Sequence, residues 1–126
     1  MKRDLECTIP ILPVSDLQSA IRFYTETLGF KLDWGGHPGS AIGSVSRDGC
    51  AIMLSESKPG FVPVWVWIGL EDDRLFQEWA DAGVKVRQTP RNFSWAHEMK
   101  FEDPDGNVLW VGTEPRADSP LEDGAD

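Results

Sequence analysis

The sequence predicts an α+β protein made of two βαβββ repeats, in which a curved mixed sheet carries its helices on the outer face and leaves a concavity on the other. One observation behind this prediction is the order of elements, a strand, a helix and three strands, which occurs twice. Another is the spacing of turn signals: Asp16 lies 13 positions before Gly29, and Asp72 lies 11 positions before Gly83. The period of roughly 55 residues indicates an internal duplication.

Length and composition fit one compact domain. The chain has 126 residues, of which 40% are hydrophobic and 26% are charged, as in globular proteins that bury a single core. With 12 Lys and Arg against 21 Asp and Glu, the net charge is −9. This charge argues against a nucleic-acid partner, because such partners are bound through cations that displace counterions from phosphates. Six residues are tryptophan, whose large rings are costly to expose and well suited to stacking on ligands.

The sequence predicts neither a membrane span nor a signal peptide. No stretch approaches the roughly 20 apolar residues that cross a bilayer, and the amino end has no apolar core followed by a small-residue cleavage site. Cys7 and Cys50 lack the spacing of a disulfide frame or a zinc site. We therefore expect a cytoplasmic protein with reduced, buried cysteines.

The first repeat covers about residues 5–58. Residues 7–14 predict an edge strand, because this β-branched run contains two prolines. The first helix is expected to begin at a capping box of Ser15 and Gln18 and to end at Gly29. Its apolar face is predicted from helical spacing as Leu17, Ile21, Tyr24 and Leu28. A strand at 30–34 and a hairpin of residues 41–46 and 50–55, turning at Asp48-Gly49, complete this repeat.

The second repeat covers about residues 61–114. It begins with a strand at 64–68 and continues with a helix that ends at Gly83. The residues of that helix expected to face the core are Leu75, Phe76, Trp79 and Ala82. The remaining elements are expected as a strand at 84–86, a loop around Pro90, a strand at 95–102, a turn at 103–106 and a strand at 108–112. Residues 115–126 combine one arginine with four acids and predict an acidic, flexible tail.

Short motifs through both repeats resemble the vicinal oxygen chelate superfamily, which includes glyoxalase I, extradiol dioxygenases and bleomycin-resistance proteins. The motifs are Val14-Ser15-Asp16-Leu17, Phe23-Tyr24, Leu28-Gly29-Phe30 and Asp103-Pro104-Asp105-Gly106-Asn107. The chain is most similar to bleomycin-resistance proteins through Trp65-Val66-Trp67 and Ser94-Trp95-Ala96. The resemblance covers about residues 5–114 and implies the glyoxalase/bleomycin resistance fold with a ligand cleft.

The resemblance also locates the positions at which the superfamily's metal enzymes carry their ligands. These positions hold Ile9, Met53, Trp65 and Trp110. None of these side chains offers the carboxylate or imidazole donors that hard and borderline cations prefer. We therefore expect no metal and no cofactor, with Trp110 filling the space that a metal ion would occupy.

Alternation along the strands selects the candidate ligand-binding residues. Trp65 and Trp67 should share one face of their strand, with valines on the other; alternatively, both fill a core or a subunit interface. Trp95 is expected to share a face with His97. The resemblance implies that Trp65 and Trp95 stack on an aromatic ligand and that Trp34 closes the same groove. The full set of candidates is Trp34, Trp65, Trp67, Trp95, Phe61, Phe93, His97 and Trp110.

The resemblance implies a metal-independent binding protein that sequesters a cationic aromatic, bleomycin-like compound in a tryptophan-lined groove at a dimer interface. It also implies a homodimer that exchanges its first strand, for which Pro10 and Pro13 suit the hinges. One alternative is a metal-dependent lyase or dioxygenase of the same superfamily with a non-standard metal site. Another is a structural or regulatory dimer without a ligand.

Overall fold

A computed structural model describes residues 2–124, which form two compact units that divide between Phe61 and Val62. The first unit contains the strands and helix β1 (Ile11–Val14), α1 (Leu17–Arg22), β2 (Lys31–Trp34), β3 (Ile42–Arg47) and β4 (Cys50–Glu56). The second contains β5 (Trp65–Gly69), α2 (Arg74–Asp81), β6 (Lys85–Asn92), β7 (His97–Glu102) and β8 (Val108–Thr113). Among the described residues, no helix is long and apolar enough to span a membrane.

Both units have the same sheet topology. The strand order is β1-β4-β3-β2 in the first and β5-β8-β7-β6 in the second. In each unit, the strand before the helix pairs in parallel with the last strand, and the other pairs are antiparallel. The predicted α+β fold of two βαβββ repeats is therefore confirmed, and the predicted edge strand is β1.

The first helix begins one residue later than the capping box predicts. Its N-cap is Asp16, whose carboxylate accepts a 2.9 Å hydrogen bond from the Ser19 amide. Gln18 instead donates to the Gly36 carbonyl at 3.0 Å, so the predicted capping pair is wrong. The helix continues as one π-helical turn over Phe23–Thr27. The four residues predicted for its apolar face are all buried: Leu17, Ile21, Tyr24 and Leu28.

Glycines allow two tight segments in the first unit. The β3–β4 hairpin turns at Asp48-Gly49 as predicted, with φ of 52° and 79°. Gly35 lies directly after β2, where an added Cβ would stand 2.5 Å from the Ile42 carbonyl oxygen. Because only glycine allows the backbone to approach β3 this closely, the segment that follows β2 can pack directly against β3.

Helix α2 covers one face of the second sheet. Trp79 is 1% exposed and packs edge to face on Phe101, with ring centroids 5.5 Å apart. Phe76 packs on the ring of His97 at 5.3 Å. Trp79 therefore belongs to the core, as predicted. Cys7 and Cys50 are free but exposed, so the expectation that both are buried is wrong.

Strand β6 is longer than the sequence predicts. It continues through Pro90 to Asn92, with two register shifts against β7. Because β6 is an edge strand, a proline that cannot donate a ladder hydrogen bond is tolerated there. The proline therefore marks a bulged edge and not the end of the strand.

The turn between β7 and β8 fixes the start of β5. Asp103 accepts hydrogen bonds from the amides of Asp105 and Asn107, each at 2.9 Å. The Asn107 side chain is fully buried and accepts a 2.9 Å hydrogen bond from the Val64 amide. The Asp-Pro-Asp-Gly-Asn motif therefore has a structural role that places the residue before Trp65.

The acidic segment after β8 is bound to the end of β6. The buried Asn92 side chain donates to the carbonyls of Arg116 and Ser119 and accepts from the Arg116 amide at 2.8 Å. The backbone amide of Asn92 donates to the Glu122 carboxylate at 2.8 Å, and the Ser94 amide donates to Asp123 at 2.7 Å. The segment expected to be a flexible tail is therefore held as far as Asp123, by the Asn92 side chain at Arg116 and Ser119 and by the Asn92 and Ser94 backbone amides at Glu122 and Asp123. Residues 125 and 126 lie outside the described part.

Candidate functional site

One face of the second sheet carries three tryptophans. In the register of the strands, Trp67 of β5 lies opposite Trp110 of β8, which lies opposite Lys100 of β7 and then Gln88 of β6. Trp65 occupies the same face two residues before Trp67. We call this the tryptophan face, and it is the face opposite to the one covered by α2.

The indoles of the tryptophan face form a cluster that remains open to solvent. Trp65 and Trp67 are 53% and 47% exposed. Both pack edge to face against Trp110, with centroid distances of 6.1 and 5.1 Å. Trp67 lies over Gly112, where an added Cβ would stand 2.5 Å from the ring. The Trp67 ring therefore packs directly on the backbone of Gly112, because that residue has no side chain.

Two cations lie against these indoles. The Arg87 guanidinium is 5.2 Å from the Trp65 ring centroid, and Lys100 Nζ is 5.6 Å from the same ring. Lys100 Nζ is also 5.4 Å from Trp110. These are cation–π distances, so the chain supplies its own cations to the rings.

Glu98 is a buried carboxylate at the centre of a polar network on this face. It is 1% exposed and accepts hydrogen bonds from Trp95 Nε1 at 2.9 Å and Gln88 Nε2 at 3.2 Å. Lys100 Nζ lies 3.2 Å from it and donates to Gln88 Oε1 at 2.7 Å. Burial raises the pKa of the Glu98 carboxyl, but these contacts and the nearby Trp110 indole N–H together lower it below the usual value. The carboxylate is therefore charged and fully partnered.

Trp95 lies on the side of Glu98 and not on the side of His97, because it precedes β7 in a bend. The predicted face shared by Trp95 and His97 is therefore wrong. Trp95 is 60% exposed and stacks on Phe93 with centroids 4.5 Å apart and planes at 6°. The Arg91 guanidinium covers Phe93 at 5.0 Å. The three side chains form a stack at the end of the tryptophan face.

The other three predicted site residues are on the opposite face of the second sheet or in the first unit. His97 is buried beside Phe76 under α2, and its Nε2 lies 3.3 Å from Asp73. Trp34 is in β2 of the first unit, where it is 46% exposed and paired with Ser44. Phe61 is the last residue of the first unit and is partly exposed. The structure therefore groups five of the eight predicted residues: Trp65, Trp67, Trp95, Phe93 and Trp110.

Sequence reasoning missed the polar half of this site. Glu98 and Lys100 occupy alternate positions of β7, between the buried residues His97, Met99 and Phe101. This alternation shows that Glu98 and Lys100 share a face, but only the register between β7 and β8 shows that Trp110 shares it too. No sequence pattern identified Arg87 as a site residue, because its position depends on the bulge in β6.

The described residues hold no group of three or more His, Cys, Asp or Glu side chains arranged for a metal ion. Of the four positions that resemble metal-ligand positions, Met53 lies in β4 opposite Ile11. Trp65 and Trp110 belong to the tryptophan face. The groups on that face can stack on rings and donate hydrogen bonds.

Two four-stranded βαβββ units, with a helix packed on one face of the second sheet and an open aromatic face opposite, define an α+β protein of layered helices and sheets. The chain belongs to the Glyoxalase/Bleomycin resistance protein/Dioxygenase superfamily, whose family model matches residues 7–111. A search of curated proteins finds no match.

Solved structures of the same fold include an antibiotic-binding protein. TnmS3, an antibiotic binding protein from Streptomyces sp. CB03234, is 28% identical, with a TM-score of 0.73 over 91% of this chain and 100% of that chain. TioX from Micromonospora sp. ML1 is 17% identical, with a TM-score of 0.74 over 86% of this chain and 98% of that chain. A superfamily protein from Nocardioides is 19% identical, with a TM-score of 0.70 over 95% and 90%. The last two similarities show the fold alone.

Proposed function

We propose that this chain is a metal-independent binding protein of the bleomycin-resistance type, which sequesters a flat aromatic, antibiotic-like compound against the tryptophan face. It acts by holding the compound and carries out no reaction on it. The observation that carries the proposal is the exposure of Trp65 and Trp67, which are half open to solvent while α2 provides the core on the opposite face. Exposed rings at a fixed spacing are suited to stacking on a planar ligand.

The similarity to TnmS3 supports the same class of ligand. That protein is described as an antibiotic binding protein, and this chain covers its whole length at 28% identity. Among the described residues, the side chains of the tryptophan face include no metal-binding cluster. Stacking and hydrogen bonding are therefore the interactions that this face offers.

The proposal also includes a homodimer with an exchanged first strand, in which each groove is lined by Trp34, Trp65, Trp67 and Trp95. Two observations support a covered surface on the first unit: Ile11 of β1 is 54% exposed and Trp34 is 46% exposed. The edge position of β1 supports an exchange, because within residues 2–124 it pairs with β4 alone. A partner's copy of β1 would fill the same edge.

The test is a titration with metal-free and copper-loaded bleomycin followed by tryptophan fluorescence, with bound metal measured on the same sample. We expect quenching at micromolar concentration, and about tenfold weaker binding for Trp65→Leu. Val86→Ala is the matched control, because this partly exposed residue faces away from the tryptophans. Absence of quenching contradicts a bleomycin-like ligand, and stoichiometric zinc, nickel or iron supports a metal enzyme instead.

A further inference from the structure

The free hydrogen-bonding groups of the tryptophan face are donors. Among the described residues, the indole N–H groups of Trp65 and Trp67 have no hydrogen-bond partner, and both indoles are about half exposed. The Arg87 guanidinium, whose side chain is 46% exposed, has only a 3.7 Å ion pair with Glu102 and its contact with the Trp65 ring. Indole and guanidinium groups donate hydrogen bonds and accept none.

The acceptors of the same face are already in use. Glu98 is buried and accepts from Trp95, Gln88 and Lys100. The Gln88 carbonyl oxygen accepts from Lys100 at 2.7 Å. Glu102 lies between Lys85 at 3.6 Å and Arg87 at 3.7 Å. A ligand that stacks on this face meets unpaired hydrogen-bond donors. The ligand must therefore supply the acceptor atoms itself.

The charge of this face is opposite in sign to that of the chain. Lys85, Arg87 and Lys100 face Glu98 and Glu102, a balance of 3 − 2 = +1, and Arg91 is neutralised by Glu122 at 3.3 Å. The chain as a whole carries −9. The cation–π positions on Trp65 and Trp110 are also taken by Arg87 and Lys100. The described residues of this face therefore offer no free anion to a cationic ligand, and two of its three indoles already contact a cation.

We infer that the tryptophan face selects planar aromatic ligands that carry oxygen acceptors or a negative charge at their edge, such as aromatic carboxylates, phenolates and quinones. This inference rests on the proposed function and names its ligand class. It differs from the cationic ligand that the family resemblance implies, because the charge balance of this face is opposite in sign to the net charge of the chain. Arg87 is the residue that sets the selectivity, since its partly exposed guanidinium lies 5.2 Å from the Trp65 ring, beside the position where a ligand would stack.

Two dyes with the same tricyclic ring and opposite charge test the inference. Acridine-9-carboxylate is an anion at pH 7, and 9-aminoacridine is a cation. Both are titrated by calorimetry in about 0.15 M salt, where charges beyond about 8 Å are screened and the net charge of the chain contributes little. We expect the carboxylate to bind at least about fivefold more tightly than the amine.

Replacement of Arg87 separates local selectivity from general charge. Arg87→Gln should weaken the carboxylate about fivefold, as for a partly exposed ion pair, and leave the amine unchanged or tighter. Arg74→Gln is the control with the same charge change, because Arg74 lies at the start of α2 and its side chain is 89% exposed. This control should leave both dyes unaffected.

The possible results distinguish the inference from the proposed function. Equal or tighter binding of the amine, or a preference for the carboxylate that survives Arg87→Gln, overturns the inference and leaves a binding protein in place. If neither dye binds while bleomycin quenches the tryptophans, the inference fails alone. If neither dye nor bleomycin binds, both fail together.

Discussion

At the scale of single residues, Glu98 holds the polar part of the tryptophan face together. Its carboxylate is the shared acceptor for Trp95, Gln88 and Lys100. Glu98→Gln keeps the shape of the side chain but removes the charge that Lys100 needs as a buried partner. We expect a loss of about 1–3 kcal/mol in the free energy of unfolding, measured by urea denaturation. Glu71→Gln, at an exposed loop position, is the control and should change stability by less than about 0.5 kcal/mol; equal effects of the two variants would contradict a special role for Glu98.

The lowered pKa of Glu98 predicts how this contribution depends on pH. Because the folded-state pKa lies below the ordinary value of 4.5, the stabilisation is fully present above that value and is lost as the pH falls through the folded-state pKa. The difference in unfolding free energy between the parent and Glu98→Gln should therefore be largest at pH 7 and shrink towards pH 3. Urea denaturation of both proteins across this range measures it. A difference that stays constant would show that the carboxyl is not more acidic in the folded state.

At the scale of elements, the segment Arg116–Asp123 acts as a strap on the end of β6. The amides of Asn92 and Ser94 donate to the carboxylates of Glu122 and Asp123. We expect truncation after Glu114 to lower the unfolding free energy by about 2 kcal/mol and to remove the hydrogen-exchange protection of these two amides. A chain ending at Gly124 keeps these contacts and should behave as the parent. Unchanged protection in the shorter chain would mean that the segment is solvated, as its composition suggests.

The elements also show where sequence patterns are sufficient. Helical spacing identifies the buried face of α1, and the Asp48-Gly49 pair identifies the β3–β4 turn, because both signals are local. The N-cap of α1 is misplaced by one residue, since Ser15 and Asp16 are both good caps. Pro90 is misinterpreted because its tolerance depends on β6 being an edge strand.

At the scale of the whole molecule, the prediction concerns assembly. A homodimer with an exchanged β1 should have twice the chain mass of 14.1 kDa, measured by light scattering on a sizing column. Ile11→Lys places a charge on the exposed apolar surface of β1 and should shift the protein to the monomer. Lys2→Glu, also exposed near the amino end, is the control. A parent protein that elutes as a monomer at micromolar concentration would remove the dimer from the proposed function.

The candidate site could be predicted only in part, because its assembly depends on how the strands pair across the sheet. Alternation places Trp65 and Trp67 together, and the structure bears this out. The positions of Glu98 and Lys100 relative to these rings depend on two strand registers that no local pattern specifies. The sign of the charge on the tryptophan face could not be predicted from composition either, because the chain as a whole is acidic while this face is not.

The packing of Trp67 over Gly112 has an optical consequence. The Trp67 and Trp110 rings lie 5.1 Å apart at 84°, close enough for their electronic transitions to couple and to give a paired band in far-ultraviolet circular dichroism. A methyl group at position 112 would displace the Trp67 ring and change the angle on which that coupling depends. This band therefore reports the relative orientation of the Trp67 and Trp110 rings at the place where a ligand would stack. We expect a compound without visible absorption to be detectable through the change that its binding causes in the band.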